Sequence, residues 1–147
     1  MNKVLFVCTG NTCRSPMAQA LAEDLFVKGN MDFSAESCGV FAVCGQPASA
    51  NAVMVAEESG LKLYNHKARL LRRDMVADAL VVITMTMAHK ARVISLFPDF
   101  ANKVFTLMEI YGDGGDVADP FGGSVDVYKH CAEQIKSYLE KIDWEMF

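Results

Sequence analysis

The chain is 147 residues long, about 16 kDa, with 52% apolar residues, 22% charged residues and a formal charge of −4 at pH 7. That length suits one ordinary domain spanning residues 1–147 with its own core, and the composition excludes disordered, collagen-like and coiled-coil chains. The acidic balance leaves no excess of cations to neutralise a phosphate backbone, so nucleic acid is not an expected partner.

Lys3 to Cys8 reads as a buried strand, and its apolar run is too short for the hydrophobic segment of a secretory signal, so a cytosolic chain is expected. From Pro16 to about Lys28, Met17, Leu21 and Leu25 recur at a spacing of four, which predicts a helix stopped by Gly29-Asn30. Phe33 to Cys38 reads as a second strand. The charge-free stretch from Ser37 to Ala56 carries Gly39, Gly45, Gln46, Pro47, Ser49 and Asn51, a set foreign to a plain transmembrane helix, so no membrane span is expected. Ser49 to Ser59 is predicted helical and closed by Gly60. Ala79 to Met85 reads as a strand, Ala88 to Phe97 as a helix stopped by Pro98, and Val104 to Met108 as a strand. Ser124 to Ile142 is the last predicted helix, with Tyr128, Cys131, Ile135 and Ile142 on one face. Strands alternating with helices predict an α/β fold: an open four-stranded parallel sheet with helices on both faces. Such sheets bind ligands at the carboxyl ends of their strands, which directs attention to the loop after strand one.

That loop reads Cys8-Thr9-Gly10-Asn11-Thr12-Cys13-Arg14-Ser15-Pro16. Pro16 suits the first helical position and Ser15 the cap, while Gly10 and Asn11 tolerate positive φ, so the loop can curl. A curled loop ahead of a helix turns its amides inward and makes an anion site. Arg14 adds a planar fork for two phosphate oxygens. Cys8 lies at the start of this positive cradle, where its surroundings favour the thiolate, a nucleophile aimed at phosphorus. No Gly-Lys-Ser/Thr follows, so the Walker type of phosphate loop does not match. Cys-x5-Arg alone is a weak pattern, and a cysteine at a strand end is most often plain core.

Other residues carry competing readings. Asp113, Asp116 and Asp119 share one polar loop, and composition does not choose among them; their spacing departs from a calcium loop. His66 and His89 read as structural hydrogen-bonders, and His130 as exposed. Arg69, Arg72 and Arg73 read as a solvated helix face. Five cysteines, an odd number, argue against a disulfide framework; Cys38, Cys44 and Cys131 lack metal-ligand spacing and read as buried thiols.

The run from Val7 to Ala18 resembles the signature of the low-molecular-weight protein tyrosine phosphatases. Ser37-Cys38-Gly39, His66 with Ala68-Arg69, and Asp119-Pro120 extend the resemblance over essentially the whole chain. It implies Cys8 as nucleophile, Arg14 as phosphate clamp and Asp119 as general acid. It further implies that Thr9, Gly10, Asn11, Thr12, Cys13 and Phe121 bind substrate, and that Asn11, Ser15, Ser37 and His66 support the loop. A reversible Cys8–Cys13 disulfide is implied as well. No metal or other cofactor is called for. The expected partners are phosphorylated proteins, with weak self-association left open. Thr12 and the single aromatic of Asp119-Pro120-Phe121-Gly122-Gly123 resemble the protein-arginine phosphatase branch more than the tyrosine-specific members. A tyrosine phosphatase is the alternative, and a non-catalytic phosphopeptide-binding module the rival class. Arsenate reduction would need further cysteines, and Thr84 to Phe97 has none.

Overall fold

A computed structural model describes all residues, 1–147. Its centre is a parallel sheet of four strands: β1 (Asn2–Cys8), β2 (Phe33–Gly39), β3 (Val81–Thr84) and β4 (Val104–Thr106), in the order β2-β1-β3-β4. β1 is buried from Val4 onward, and the pleat sends its side chains alternately to two apolar layers. Val4, Phe6 and Cys8 enter the larger layer, while Leu5 and Val7 enter the smaller.

The larger layer lies under α1 (Arg14–Lys28), α2 (Ala50–Glu58) and a long C-terminal helix (Val125–Lys141). An aromatic group of Phe26, Phe33, Trp144 and Phe147 closes one end of it. The opposite face is covered by α3 (Arg73–Asp78), through Met75 and Val76, and by α4 (Met87–Leu96), through Val93. A fifth helix, α5 (Leu107–Tyr111), follows β4 directly, so the C-terminal helix is α6. Because β2 lies to one side of β1 and β3 to the other, the crossovers diverge at β1. The loop after Cys8 therefore opens at the switch point of the sheet.

Several local expectations are corrected. The first helix starts at Arg14, with Cys13 at the cap position and no side-chain cap. Ser15 is thus not the cap, and Pro16 sits at the third position, where a missing amide proton is still tolerated. Only Asn11 has positive φ in this loop, at 57°; Gly10 does not. The third strand is shorter than predicted. The strand predicted to reach Met108 ends at Thr106, whose side chain forms a capping box with Glu109 and starts α5. Ser49 and Ser124 cap α2 and α6 with their hydroxyls.

Candidate active site

The five residues Thr9–Cys13 bridge the end of β1 and the start of α1. Their curl depends on Asn11, a fully buried residue in the left-handed region, where asparagine is among the less costly non-glycine choices. Its side-chain amide donates to Ser15 Oγ at 2.8 Å and Ser37 Oγ at 3.0 Å. Its Oδ1 accepts from the Arg69 amide at 2.9 Å, and its carbonyl is bonded to His66 Nε2 at 2.8 Å. The loop also lies against Gly39, where a Cβ would stand 2.4 Å from the Thr9 carbonyl oxygen. The amides of Val40 and Phe41 donate to the carbonyls of Cys8 and Thr9, both at 3.0 Å.

The network runs on from Asn11 to Gln19 and to Cys8. Ser37 donates its hydroxyl to Gln19 Oε1 at 2.6 Å. Asn11 fills an acceptor site on Ser15, whose own proton is left for Cys8 Sγ at 2.8 Å or the more distant Cys38 carbonyl at 3.4 Å. Either atom of the Cys8–Ser15 pair can be the donor, and a Cys8 anion would take the Ser15 proton.

Arg14 is buried beside the loop. Its Nη1 donates to the Val117 carbonyl at 2.9 Å and its Nη2 reaches Thr9 Oγ1 at 3.5 Å. The same Nη2 lies 3.8 Å from Asp119 Oδ2. The three aspartates of the 113–119 loop are thereby told apart. Asp113 accepts from the Tyr138 hydroxyl at 2.8 Å, and Asp116 accepts from the Met87 amide at the start of α4 at 2.9 Å. Asp119 alone turns a carboxylate toward Arg14, while its other oxygen accepts from the Phe121 amide at 3.1 Å. Its side chain is 55% exposed, and Phe121 beside it is 76% exposed, so both stand at the mouth of the cradle. A buried thiol beside a hydroxyl, a buried guanidinium and an exposed carboxyl group can together transfer a phosphoryl group.

His66 and His89 are both hydrogen-bonded within the fold, as expected. Burial lowers the proton affinity of His66. Burial and the charge of Arg14 bring His89 down to about 4, and its Nε2 lies 2.8 Å from Thr9 Oγ1. His130 is exposed. Thr12 is half-buried, with Oγ1 3.7 Å from Cys13 Sγ. Cys13 Sγ in turn lies 3.3 Å from the Tyr128 hydroxyl and 3.4 Å from Ser49 Oγ. Burial pushes Cys38 up to about 12 and Cys131 up to about 11, so both remain thiols. Cys44 is exposed, contrary to expectation, because it lies in the surface segment between β2 and α2.

The arginine cluster is also corrected. Arg72 and Arg73 form exposed ion pairs with Asp74 and Asp99 at the start of α3. Arg69 lies outside any helix and donates Nε and Nη2 to the Ser37 carbonyl at 3.2 and 3.1 Å. Arg69 and Gln19 belong to the loop support, and the sequence reading missed both. Arg69 falls inside the His66–Arg69 motif, which was a usable signal; Gln19 had none.

The sequence model for the family described as low molecular weight phosphotyrosine protein phosphatase matches residues 3–145. A protein-arginine-phosphatase of Geobacillus stearothermophilus is 40% identical over 141 residues, covering 95% of this chain and 93% of the relative. The crystal structure of a low-molecular-weight protein tyrosine phosphatase from T. tengcongensis superposes with a TM-score of 0.93 at 42% identity, covering 96% and 97% of the two chains. A structure of the YwlE arginine phosphatase, a cysteine-to-serine mutant with a phosphorylated active-site serine, superposes with a TM-score of 0.92 at 39% identity, covering 95% and 91%. The strand–loop–helix cradle and this similarity over nearly the full chain lead to one conclusion: the chain belongs to the low molecular weight phosphotyrosine protein phosphatase family.

Proposed function

We propose that this chain is a cysteine-dependent protein phosphatase that hydrolyses phosphoarginine in proteins. Cys8 Sγ attacks phosphorus, the P–N bond breaks, and Asp119 gives its proton to the departing guanidine nitrogen. Water then attacks the phosphocysteine, Asp119 takes the water proton, and the S–P bond breaks. Orthophosphate leaves, and Ser15 holds the restored thiolate at the 2.8 Å contact. The amides of Thr9, Gly10, Asn11, Thr12 and Cys13 and the Arg14 fork bind the phosphoryl oxygens. Asn11, Ser37 and His66 keep the loop curled, and Phe121 flanks the leaving group. The reaction as written uses no metal or other cofactor. The partners are phosphorylated proteins, and the five free cysteines suit the reducing cytosol.

Thr12 carries the arginine reading. The cradle reads only the phosphoryl group, so discrimination falls to its walls. A guanidinium needs hydrogen-bond partners when desolvated, and the Thr12 hydroxyl supplies an acceptor where an isoleucine would offer an apolar surface to a phenyl ring. The 40% identity to an arginine phosphatase supports the same choice. The T. tengcongensis likeness favours phosphotyrosine as the second reading. The deciding measurement is kcat/KM on phosphoarginine and phosphotyrosine peptides for wild type and Thr12→Ile. The substitution should lower phosphoarginine turnover by about tenfold or more and shift the ratio toward phosphotyrosine. A wild type that prefers phosphotyrosine, or an unchanged ratio, overturns the arginine assignment.

A further inference from the structure

His89 is a buried titratable side chain with no part in the chemistry above. It projects from the first turn of α4, is 5% exposed, and bonds the loop through Thr9 Oγ1 at 2.8 Å. Its second ring nitrogen, Nδ1, is buried with no hydrogen-bond partner. Thr9 stands at the mouth of the cradle, exposed, with Arg14 Nη2 3.5 Å from the same oxygen.

The imidazole can carry its proton on either nitrogen, and the two choices have different consequences for Thr9. With the proton on Nδ1, a buried N–H has no acceptor, and Thr9 spends its hydroxyl proton on Nε2. With the proton on Nε2, the orphan is a bare lone pair, and His89 donates to Thr9. Buried N–H groups without partners are the rarer and costlier defect, which selects the second arrangement. Burial and Arg14 hold the ring neutral above about pH 4, so the choice of tautomer is a real one at neutral pH. Thr9 Oγ1 then accepts from His89 and from Arg14, and both of its lone pairs are taken. Its hydroxyl proton is then its only remaining hydrogen-bonding capacity, open to an anion held in the cradle.

We infer that His89 is a positioning residue: by donating from Nε2 to Thr9 Oγ1, it commits the Thr9 hydroxyl to act as a hydrogen-bond donor to the bound phosphoryl group. This rests on the phosphoryl-binding cradle proposed above and adds to it a side-chain donor whose direction is set from outside the loop. The Thr9 donor acts on the phosphoryl oxygens, so it strengthens binding and turnover for phosphoarginine and phosphotyrosine alike. It is distinct from the discrimination assigned to Thr12.

The test combines nitrogen-15 NMR of the His89 ring, orthophosphate binding by calorimetry, and kcat/KM on an aryl phosphate. The ring proton is expected on Nε2. His89→Leu and Thr9→Val should each weaken orthophosphate binding and lower kcat/KM by about tenfold to a hundredfold, the scale of a hydrogen bond to a charged group. His89→Gln, whose amide can donate in place of Nε2, should stay within about threefold of wild type. The double variant Thr9→Val/His89→Leu should lose no more than either single one, because both remove the same donor. A proton on Nδ1, or losses that multiply in the double variant, overturns the inference. Should His89→Leu fail to fold, the wild-type tautomer and Thr9→Val decide. Orthophosphate binding that survives His89→Leu intact overturns the relay alone. A wild type that binds no orthophosphate overturns the cradle reading and the relay with it.

Discussion

Cys8 is buried and Asp119 exposed, and that contrast assigns them different kinds of failure. Cys8 is buried at the end of β1 with Ser15 Oγ 2.8 Å from its sulfur, while Asp119 stands half in solvent. In Cys8→Ser the cradle of amides and Arg14 is untouched, but a hydroxyl replaces a thiolate, a far stronger nucleophile. Turnover should vanish, and orthophosphate should still bind in calorimetry; a retained rate above a trace would remove Cys8 from the covalent step. Asp119→Asn keeps the shape and removes the transferable proton. It should cost about two to four orders of magnitude in kcat, and least for aryl phosphates with good leaving groups. A rate plotted against leaving-group acidity checks this, since an equal loss across the series would deny Asp119 the acid role. Asp113→Asn and Asp116→Asn serve as comparisons, because their carboxylates are engaged with Tyr138 and the Met87 amide.

The strand-to-helix element around the site depends on its neighbour β2. Cys8 pairs in register with Gly39, and the Thr9 carbonyl occupies the space a Cβ would need there. Gly39→Ala forces the backbone of the loop away. It should cost about 1–3 kcal/mol of stability by urea unfolding and reduce kcat/KM more than the stability loss alone would explain. Equal activity in the folded variant would mean the loop does not need this close approach. How much of this was legible beforehand follows from range. The strand, the loop and the helix near its true start were readable because an apolar run, Asn11 and Pro16 act locally. The four-stranded parallel sheet also followed from alternation, though not its strand order. The short helices α3 and α5 escaped because six and five residues show too little periodicity. In α5 the Thr106–Glu109 capping box was nonetheless visible in the chain. Composition left Asp113, Asp116 and Asp119 equivalent, and the choice of Asp119 came only from the Asp119-Pro120 resemblance; the capture of Ser37 by Gln19 depends on a contact between distant segments, and no local pattern encodes it.

At the scale of the whole molecule, a half-buried and a buried histidine, His66 and His89, tie stability to acidity. The folded state lowers the proton affinity of both, mainly by burial, and His89 falls from 6.5 to about 4. As pH drops below 6.5 the unfolded chain takes up protons that the folded chain refuses, so folding stability declines between that value and about pH 4. Thermal midpoints should fall across that window, and His89→Gln should flatten the decline; a slope unchanged by the substitution would move the dependence to other groups. The long reach of the site's contacts has a further consequence, for the order of events during synthesis. Arg14 is held by the carbonyl of Val117, 103 residues later, and Cys13 is met by Tyr128, 115 residues later. A nascent chain thus presents Cys8 before the segment that holds its clamp, and Arg14 gains its carbonyl partner only once Val117 has followed. A chain interrupted before Val117 therefore holds the nucleophile and the guanidinium without the carbonyl that sets one against the other.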